Sequence, residues 1–436
     1  MKIFRDPIHN VIDLDTGDKA VNALIIRLID SPEFQRLHFI RQLGFTFFAY
    51  PSATHTRFEH SLGVAFLAKR FLDKLISLEE TVLKRGNESA ALVDFFATVR
   101  HYKNATIIAS LLHDIGHSPL SHTTESLFTI CHEERGREII LGNTEINRLL
   151  ADFDTALPQT ICAILAGDKH SLEAGDDFAK RKTIPTSKLI AGQLDVDRMD
   201  YLLRDSYMTG SKYGVFDLEW LLNVLTVGVV NDRIEIGFDL GKGLSLAEDF
   251  VMARIYMFRN VYFHKISFVA QAMLNLLIAR IKDLPEESTH PLFANESFRR
   301  VIFSDSALTL QDFLAVNDID FFAFFKRLQT CDDAVLARLA DGILNRRLFK
   351  EVDAAQYDTI RESIIRRKGL GMDKYFMYTP AFESQRKKLS YRVDDEKIYL
   401  FDKTGTGYEL LEKSAILPFN DKTADFRASI YVDSLF

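Results

Sequence analysis

The chain has 436 residues, 47% of them hydrophobic and 26% charged, with a formal net charge of −7. That length predicts two or three domains, or one large core with an appendage, and the acidic balance excludes broad attraction to nucleic acid or an anionic membrane while leaving room for a local basic pocket. Cys131, Cys162 and Cys331 are too scattered for a disulfide framework or a cysteine metal cluster; MKIFRDPIHN has no signal-peptide core and no apolar run reaches the ~20 residues that span a membrane, so a reducing cytoplasm is the expected location.

Lys2 to Leu14 places Pro7, His9 and Asn10 between short β-prone runs, which predicts a small hairpin or an extended arm. A helical pattern starts at Val21. Ser31-Pro32 predicts a second helix start, running through EFQRLHFIRQL and stopping at Gly44. FTFFAYPSAT is a turn-rich bridge. HTRFEHSLGVAFLAKRFL predicts an apolar helix with His60 near its start, continuing to Leu75. Ser77 to His101 is polar and mixed, a helical connection or a loop. Ala105 to Leu112 reads as a buried helix that runs into LLHDIGHSPLSHTTE. There Gly116 is expected to turn the backbone sharply and Pro119 to block further helix.

GNTEINRLLADFD and TICAILAGD predict amphipathic helices, and EAGDDFAKRKTI a surface loop. Val227 to Phe238 reads as a hairpin across Asn231-Asp232, and Ser245 to Lys282 as one long helical stretch. Beyond residue 285, helical segments (LQDFLAV, FFAFFKRL, AVLARLADGILNRRLF) give way to strand-like KIYLFD and the turns of KTGTGYE. That last segment lacks the strand–loop–helix frame of a phosphate-binding loop.

The chemistry-bearing residues cluster. A helix that ends in His113-Asp114 delivers a neutral nitrogen and a carboxylate at one point, and the turn after it folds His117 and His122 toward the same small volume. Imidazole with carboxylate suits a divalent transition metal. Helix ends with solvated histidines are the plain alternative. His60 reads alone as a hydrogen-bonded core histidine, but helices starting near His60 and ending near His113 can lie side by side and join these groups. In LDVDRMDYLLRD, Asp195, Asp197, Asp200 and Asp205 crowd an apolar helix, so some must point inward and need a cation or donors. Asp197 is the candidate for the missing ligand. His132 reads alone as a solvated helix-start residue. Arg254, Arg259, Tyr262, His264 and Lys265 are either snorkelling basic residues or a wall for phosphates.

HTRFEHSLGV, LLHDIGHSPLSH and DVDRMDYLLRD, in that order, resemble the HD-domain metal-dependent phosphohydrolases, and more narrowly their deoxynucleoside triphosphate triphosphohydrolase branch. RDPIHN, SPEFQRLHFIRQLG, FRNVYFHK and, more weakly, ILNRRLFK extend the likeness over roughly residues 1 to 350. The resemblance implies a mainly α fold: an HD helical core with small β-hairpins over residues 1–285, and a C-terminal helical and mixed α/β region over 286–436. It implies one divalent ion per active site (Mn, Fe, Mg, Ni or Zn) held by His60, His113, Asp114 and Asp197. His117, His122, Glu125 and His132 match residues near the scissile phosphoester. Gln42, Arg57, Arg198, Tyr201, Asp205, Arg254 and Tyr262 match groups that hold sugar or phosphate. The implied reaction cleaves a dNTP into a deoxynucleoside and inorganic triphosphate, in a homo-dimer or homo-tetramer with a nucleotide activator at a second site.

The residue types suit that reaction: a metal to neutralise the α-phosphate, arginines for the triphosphate, and a histidine to protonate the departing 5′-oxygen. Of the four candidates, His122 is the expected donor, supported by Glu125 and His132, with His117 toward the α-phosphate. There are departures. Arg198 stands where the branch often has Lys, Glu125 where it often has Asp, and Phe263 where the animal enzyme has a polar residue. His38 replaces an Arg that helps to bind guanine nucleotide, although Asp30 and Gln35 are kept. Two rival readings are an HD phosphohydrolase or nuclease acting on another nucleotide or on single-stranded nucleic acid, and a non-catalytic nucleotide sensor.

Overall fold

The computed structural model of the protein describes residues 2–85, 89–128, 130–167, 185–192, 194–231, 233–303, 308–379, 397–417 and 429–433. The predicted loop EAGDDFAKRKTI and Asp232 lie outside the described residues.

The N-terminal hairpin forms as expected: β1 (Ile3–Asp6) pairs antiparallel with β2 (Asn10–Asp13). Asp18 then caps α1 (Lys19–Asp30) by accepting from the Ala20 and Val21 amides. The helix that starts at Ser31-Pro32 is shorter than predicted. Only α2 (Pro32–Gln35) is α-helical, followed by a 3₁₀ turn at Arg36–Phe39, and by Arg41 the chain is extended and bridged to Thr56. The cause is tertiary. Arg36 donates to the carbonyls of Val316 (3.0 Å) and His117 (2.9 Å), and the Arg41 amide donates to Asp318 (3.0 Å), so long-range partners replace the helical ones.

A Thr56–Glu59 capping box opens α3 (Arg57–Ser77). The polar stretch after it is helical: α4 (Glu79–Arg85) and then α5 (Ala90–Leu112), which absorbs the short buried helix expected at Ala105. Next come α6 (His132–Leu141), α7 (Glu145–Phe153), α8 (Leu157–Ala166) and α9 (Lys188–Ala191). Asp195 caps α10 (Val196–Thr209) through the Arg198 amide (2.7 Å), and Gly210, at φ +69°, closes it. After α11 (Leu218–Asn223), β3 (Leu225–Val230) and β4 (Arg233–Asp239) form the predicted hairpin.

The long helical stretch is in fact two helices. α12 (Leu240–Met257) runs on through a π-helical turn to Tyr262, and α13 (Lys265–Asp283) leaves at a 53° bend, with His264 capping its first turn. α14 (Glu286–Thr289), α15 (Glu296–Phe303), α16 (Leu310–Leu314), α17 (Asp318–Leu328), α18 (Ala334–Leu344), β5 (Lys350–Asp353) and α19 (Tyr357–Lys368) follow. No single described helix is long and apolar enough to cross a membrane.

Two apolar cores organise these elements. One joins α1, α3, α5, α7, α8 and α10 with α12. The other joins α13 with α15, α17 and α18. Neither stops at residue 285. α13 belongs to the second core, together with Phe45, Phe48 and Leu120 from the N-terminal half, whereas Ile398, Leu400 and Leu410 belong to the first. The Tyr399–Phe401 strand joins β4 in parallel, so late chain returns to the first core.

Candidate active site

Three elements deliver the central groups. His60 lies in the first turn of α3, His113 and Asp114 follow the last turn of α5, and Asp197 lies in the first turn of α10. These helix ends meet. His60 Nε2 is 2.9 Å from Asp197 Oδ1 and 3.6 Å from Asp114 Oδ2. His113 Nε2 is 3.4 Å from Asp114 Oδ1 and 3.5 Å from Asp197 Oδ1. Donors bound to one ion at ~2.1 Å stand ~3.0–3.4 Å apart, the edges of an octahedron or tetrahedron. His113 Nε2 is also buried without a hydrogen-bond partner, while its Nδ1 lies 2.8 Å from the Ser110 carbonyl, which fixes the ring. The donor set and spacing therefore fit a divalent ion.

Electrostatics agree. Burial alone would lower the pKa of His60, but Asp197, Asp200 and Asp114 raise it to about 10. Such a concentration of carboxylate around buried imidazole favours a cation. Asp114 is held well below the usual carboxylate range despite burial, chiefly by Arg57. Arg57 is 3% exposed, ion-paired with Asp114, and donates from Nε to Ser121 Oγ (2.8 Å).

Behind His60 is a network that sequence reasoning did not assign. Asp200 Oδ2 lies 2.7 Å from His60 Nδ1 and Asp200 Oδ1 2.6 Å from His9 Nε2, and both oxygens accept from Arg204 (2.8 and 2.9 Å). Arg204 also donates to Asp6 (2.7 Å), so the N-terminal hairpin braces a candidate metal ligand. The available signals were the i, i+3 spacing of Asp197 and Asp200 and the i, i+4 spacing of Asp200 and Arg204. Gly63 makes room: a Cβ there would overlap Asp200 Oδ1 and crowd Arg204. Gly63→Ala is expected to lower stability by ~1–3 kcal/mol through overpacking and to speed metal loss, read by thermal melts and chelator-driven release. An unchanged melt and release rate would remove this packing argument.

The loop after Asp114 turns differently from expectation. Gly116 has no positive φ; it is where the loop presses on α6, and a Cβ would overlap His132 O and the Gly136 amide. The reversal falls at Leu120 and Ser121, with φ of +56° and +52°. Asp318 holds it by accepting from the Leu120 amide (2.6 Å). His117 and His132 consequently stack at 4.0 Å, with His122 5.1 Å from His117. Glu125 joins two of them: Oε2 is 2.9 Å from His122 Nδ1 and Oε1 is 2.8 Å from His132 Nδ1. Those two hydrogen bonds, to His122 first and His132 next, hold Glu125 far below the usual carboxylate range. Burial and the Arg57 charge keep His117 well below the ordinary histidine value, so it is neutral at pH 7.

The predicted substrate residues fall in three places around the metal-type cluster. Asp205 accepts from the Tyr262 hydroxyl (2.7 Å) and lies 2.7 Å from His55 Nε2; Tyr201 packs edge-on against Tyr262 at 6.0 Å. The Gln42 backbone N–H donates to His55 O (3.0 Å), and Gln42 Oε1 and His55 Nδ1 are both buried without protein partners. His55 carries no signal in the sequence beyond its place as the first residue of HTRFEH. Burial raises the Tyr201 hydroxyl to about 12, so it stays a hydrogen-bond donor. Arg198 and Arg254 lie within electrostatic reach of Asp195 and Tyr201, on the α10–α12 side, while Arg57 lies on the Asp114 side. His38 lies flat on Phe58 at 3.5 Å, and Gln35 donates to the Ile29 carbonyl (2.7 Å).

The HD domain family matches residues 57–205, from Arg57 on α3 to Asp205 on α10. The chain is 31% identical to uncharacterized protein YwfO of Bacillus subtilis, over 95% of this chain and 88% of that protein. It is 30% identical to deoxynucleoside triphosphate triphosphohydrolase SAMHD1 of Danio rerio over 63% of this chain, a match that spans only 44% of that protein's length. A crystal structure of a phosphohydrolase from Bacteroides thetaiotaomicron superposes with a TM-score of 0.76 at 26% identity, covering 99% of both chains.

Proposed function

The chain belongs to the HD-domain phosphohydrolase family, and from that premise we propose that it hydrolyses deoxynucleoside triphosphates to deoxynucleoside and inorganic triphosphate. The observation that carries this reading is the adjacency of two clusters: the His60–His113–Asp197 group with Asp114 against both histidines, and beside it His117, His122 and His132, the last two bonded to Glu125. The first is a site for a divalent ion; the second is suited to proton transfer. The likeness to a SAMHD1 protein, 30% identical over 63% of this chain, supports the choice of substrate.

A divalent ion held by His60, His113, Asp114 and Asp197 would polarise the α-phosphate and a bound water. The chain's own residues do the rest. His117, neutral and buried, faces the α-phosphate as a hydrogen-bond partner. His122, 61% exposed and held by Glu125, gives a proton to the departing 5′-oxygen. Asp205, Tyr262 and the buried, unpartnered Gln42 Oε1 are the polar groups suited to sugar hydroxyls. Arg198 and Arg254 take triphosphate oxygens, where charge-assisted hydrogen bonds are strongest. Activation by guanine nucleotide is not part of the reading, because His38 stacks on Phe58 and Gln35 is bonded to backbone. Assembly into dimers or tetramers belongs to it, and sedimentation of the purified protein tests that.

Arg254→Ala is expected to raise KM for dNTP and lower kcat/KM by ~10-fold or more, the loss of one charge-assisted contact, with metal content unchanged. Steady-state kinetics with metal analysis checks this, and parent-level turnover would take Arg254 out of the site. The reaction itself is tested by separating products. Triphosphate with a deoxynucleoside supports the reading; orthophosphate or a nucleoside monophosphate favours another nucleotide phosphohydrolase.

A further inference from the structure

His117, His122 and His132 form a second group of potential ligands beside the His60–His113–Asp197 group, and in each group the ligand atoms all lie within 4.8 Å of one another. Metal-bound imidazoles usually give their other ring N–H to a carboxylate or a carbonyl. The first group follows that pattern, with His60 Nδ1 on Asp200 and His113 Nδ1 on the Ser110 carbonyl. The second follows it too. Glu125 takes the Nδ1 of both His122 and His132, which leaves Nε2 of each ring for a ligand. His117 lies against His132, with its Nε2 3.2 Å from Asp114 Oδ1, and adds the third imidazole of the group.

We propose that these three histidines bind a second ion, Zn²⁺, and that its binding inhibits the enzyme. Three imidazoles without a carboxylate ligand select a borderline-soft ion with tetrahedral preference, and disfavour Mg²⁺ and Ca²⁺, which take oxygen. A fourth position stays open to water. The His122 side chain is 61% exposed, so an ion enters from solvent and the ring turns to close the set. Zn²⁺ and the proton compete for the same nitrogen lone pair, so an occupied site removes the proton donor. That inhibitory effect rests on His122 being the donor; the binding site does not.

The test uses the full-length protein with its first site filled by Mn²⁺. Titration with Zn²⁺ and measurement of total metal after desalting is expected to show a rise from one ion to two per chain. Mg²⁺ in place of Zn²⁺ gives no rise. Triphosphate release falls in step with the second ion. Anomalous scattering at the zinc edge from crystals of the unsubstituted protein is expected to place the ion among the three histidines, which decides the site without relying on a variant. His122→Gln/His132→Gln is expected to stay at one ion per chain. The site is overturned if total metal stays at one, or if the second ion survives in that double variant. It is also overturned if Cys131→Ser abolishes it, since the exposed Cys131 thiol adjoins His132. Two ions with undiminished turnover would overturn the inhibition. If the protein turns over no dNTP, the metal count still decides the site.

Discussion

Asp197→Ala protein is expected to hold no stoichiometric metal and to release no triphosphate above background. Among the candidate ligands Asp197 is the carboxylate with charge to spare. Asp114 is already paired with Arg57, whereas among the described residues the ion-pair partners of Asp197 are His60 and His113. Its loss leaves two imidazoles and a neutralised carboxylate, and affinity should fall by more than the ~10–100-fold that follows loss of an outer partner. The side chain is 32% exposed in the first turn of α10, so the fold should persist. Metal analysis, circular dichroism and a dNTP assay together check this. A folded variant that keeps its metal and turns over at the parent rate would exclude Asp197 from the site.

His122→Gln should keep metal and dNTP binding and lose ~10²–10⁴-fold in triphosphate release, the usual contribution of a general acid. Four groups surround that step. His117 is buried, stacked on His132 and close to Asp114. Glu125 is ionised and can only accept. His132 is bonded to the same carboxylate but is only 27% exposed, whereas His122 is the ring that can turn toward a departing oxygen. Single-turnover kinetics on His122→Gln and His132→Gln separates them. A parent rate in the first variant with a dead second would exchange the two assignments.

Much of the candidate site is legible in the sequence because its candidate ligands sit in compact blocks. His113 and Asp114 are adjacent, and Asp197 stands in a helix too apolar for a purely polar face. The bracing network is not legible in the same way. His9 and Asp200 are 191 positions apart, and Asp200 looks in isolation like any of its acidic neighbours. The shortened helix after Pro32 has the same origin. Its periodicity is helical, but Arg36 and Arg41 are bonded to groups near residues 316 to 318, and no local pattern announces a partner 280 positions away. Gly116 reads as a turn glycine because glycine often serves that purpose. Here it serves the contact between the histidine loop and α6, and the turn is made at Leu120, where the Asp318 carboxylate holds the backbone.

These long-range bonds also give the C-terminal half a place in the site. Arg36 links the Val316 carbonyl to that of His117, and Asp318 fixes the Leu120 amide. The histidine loop is therefore held between two apolar cores rather than by its own helix end.

The central claim is attack at the α-phosphorus, and hydrolysis of a dNTP in ¹⁸O-enriched water tests it most directly. Products are separated and weighed by mass spectrometry. One ¹⁸O is expected in inorganic triphosphate and none in the deoxynucleoside, with loss of both products in the Asp197→Ala protein. Label in orthophosphate or in a nucleoside monophosphate, or dNTP left intact by metal-replete protein, would contradict it.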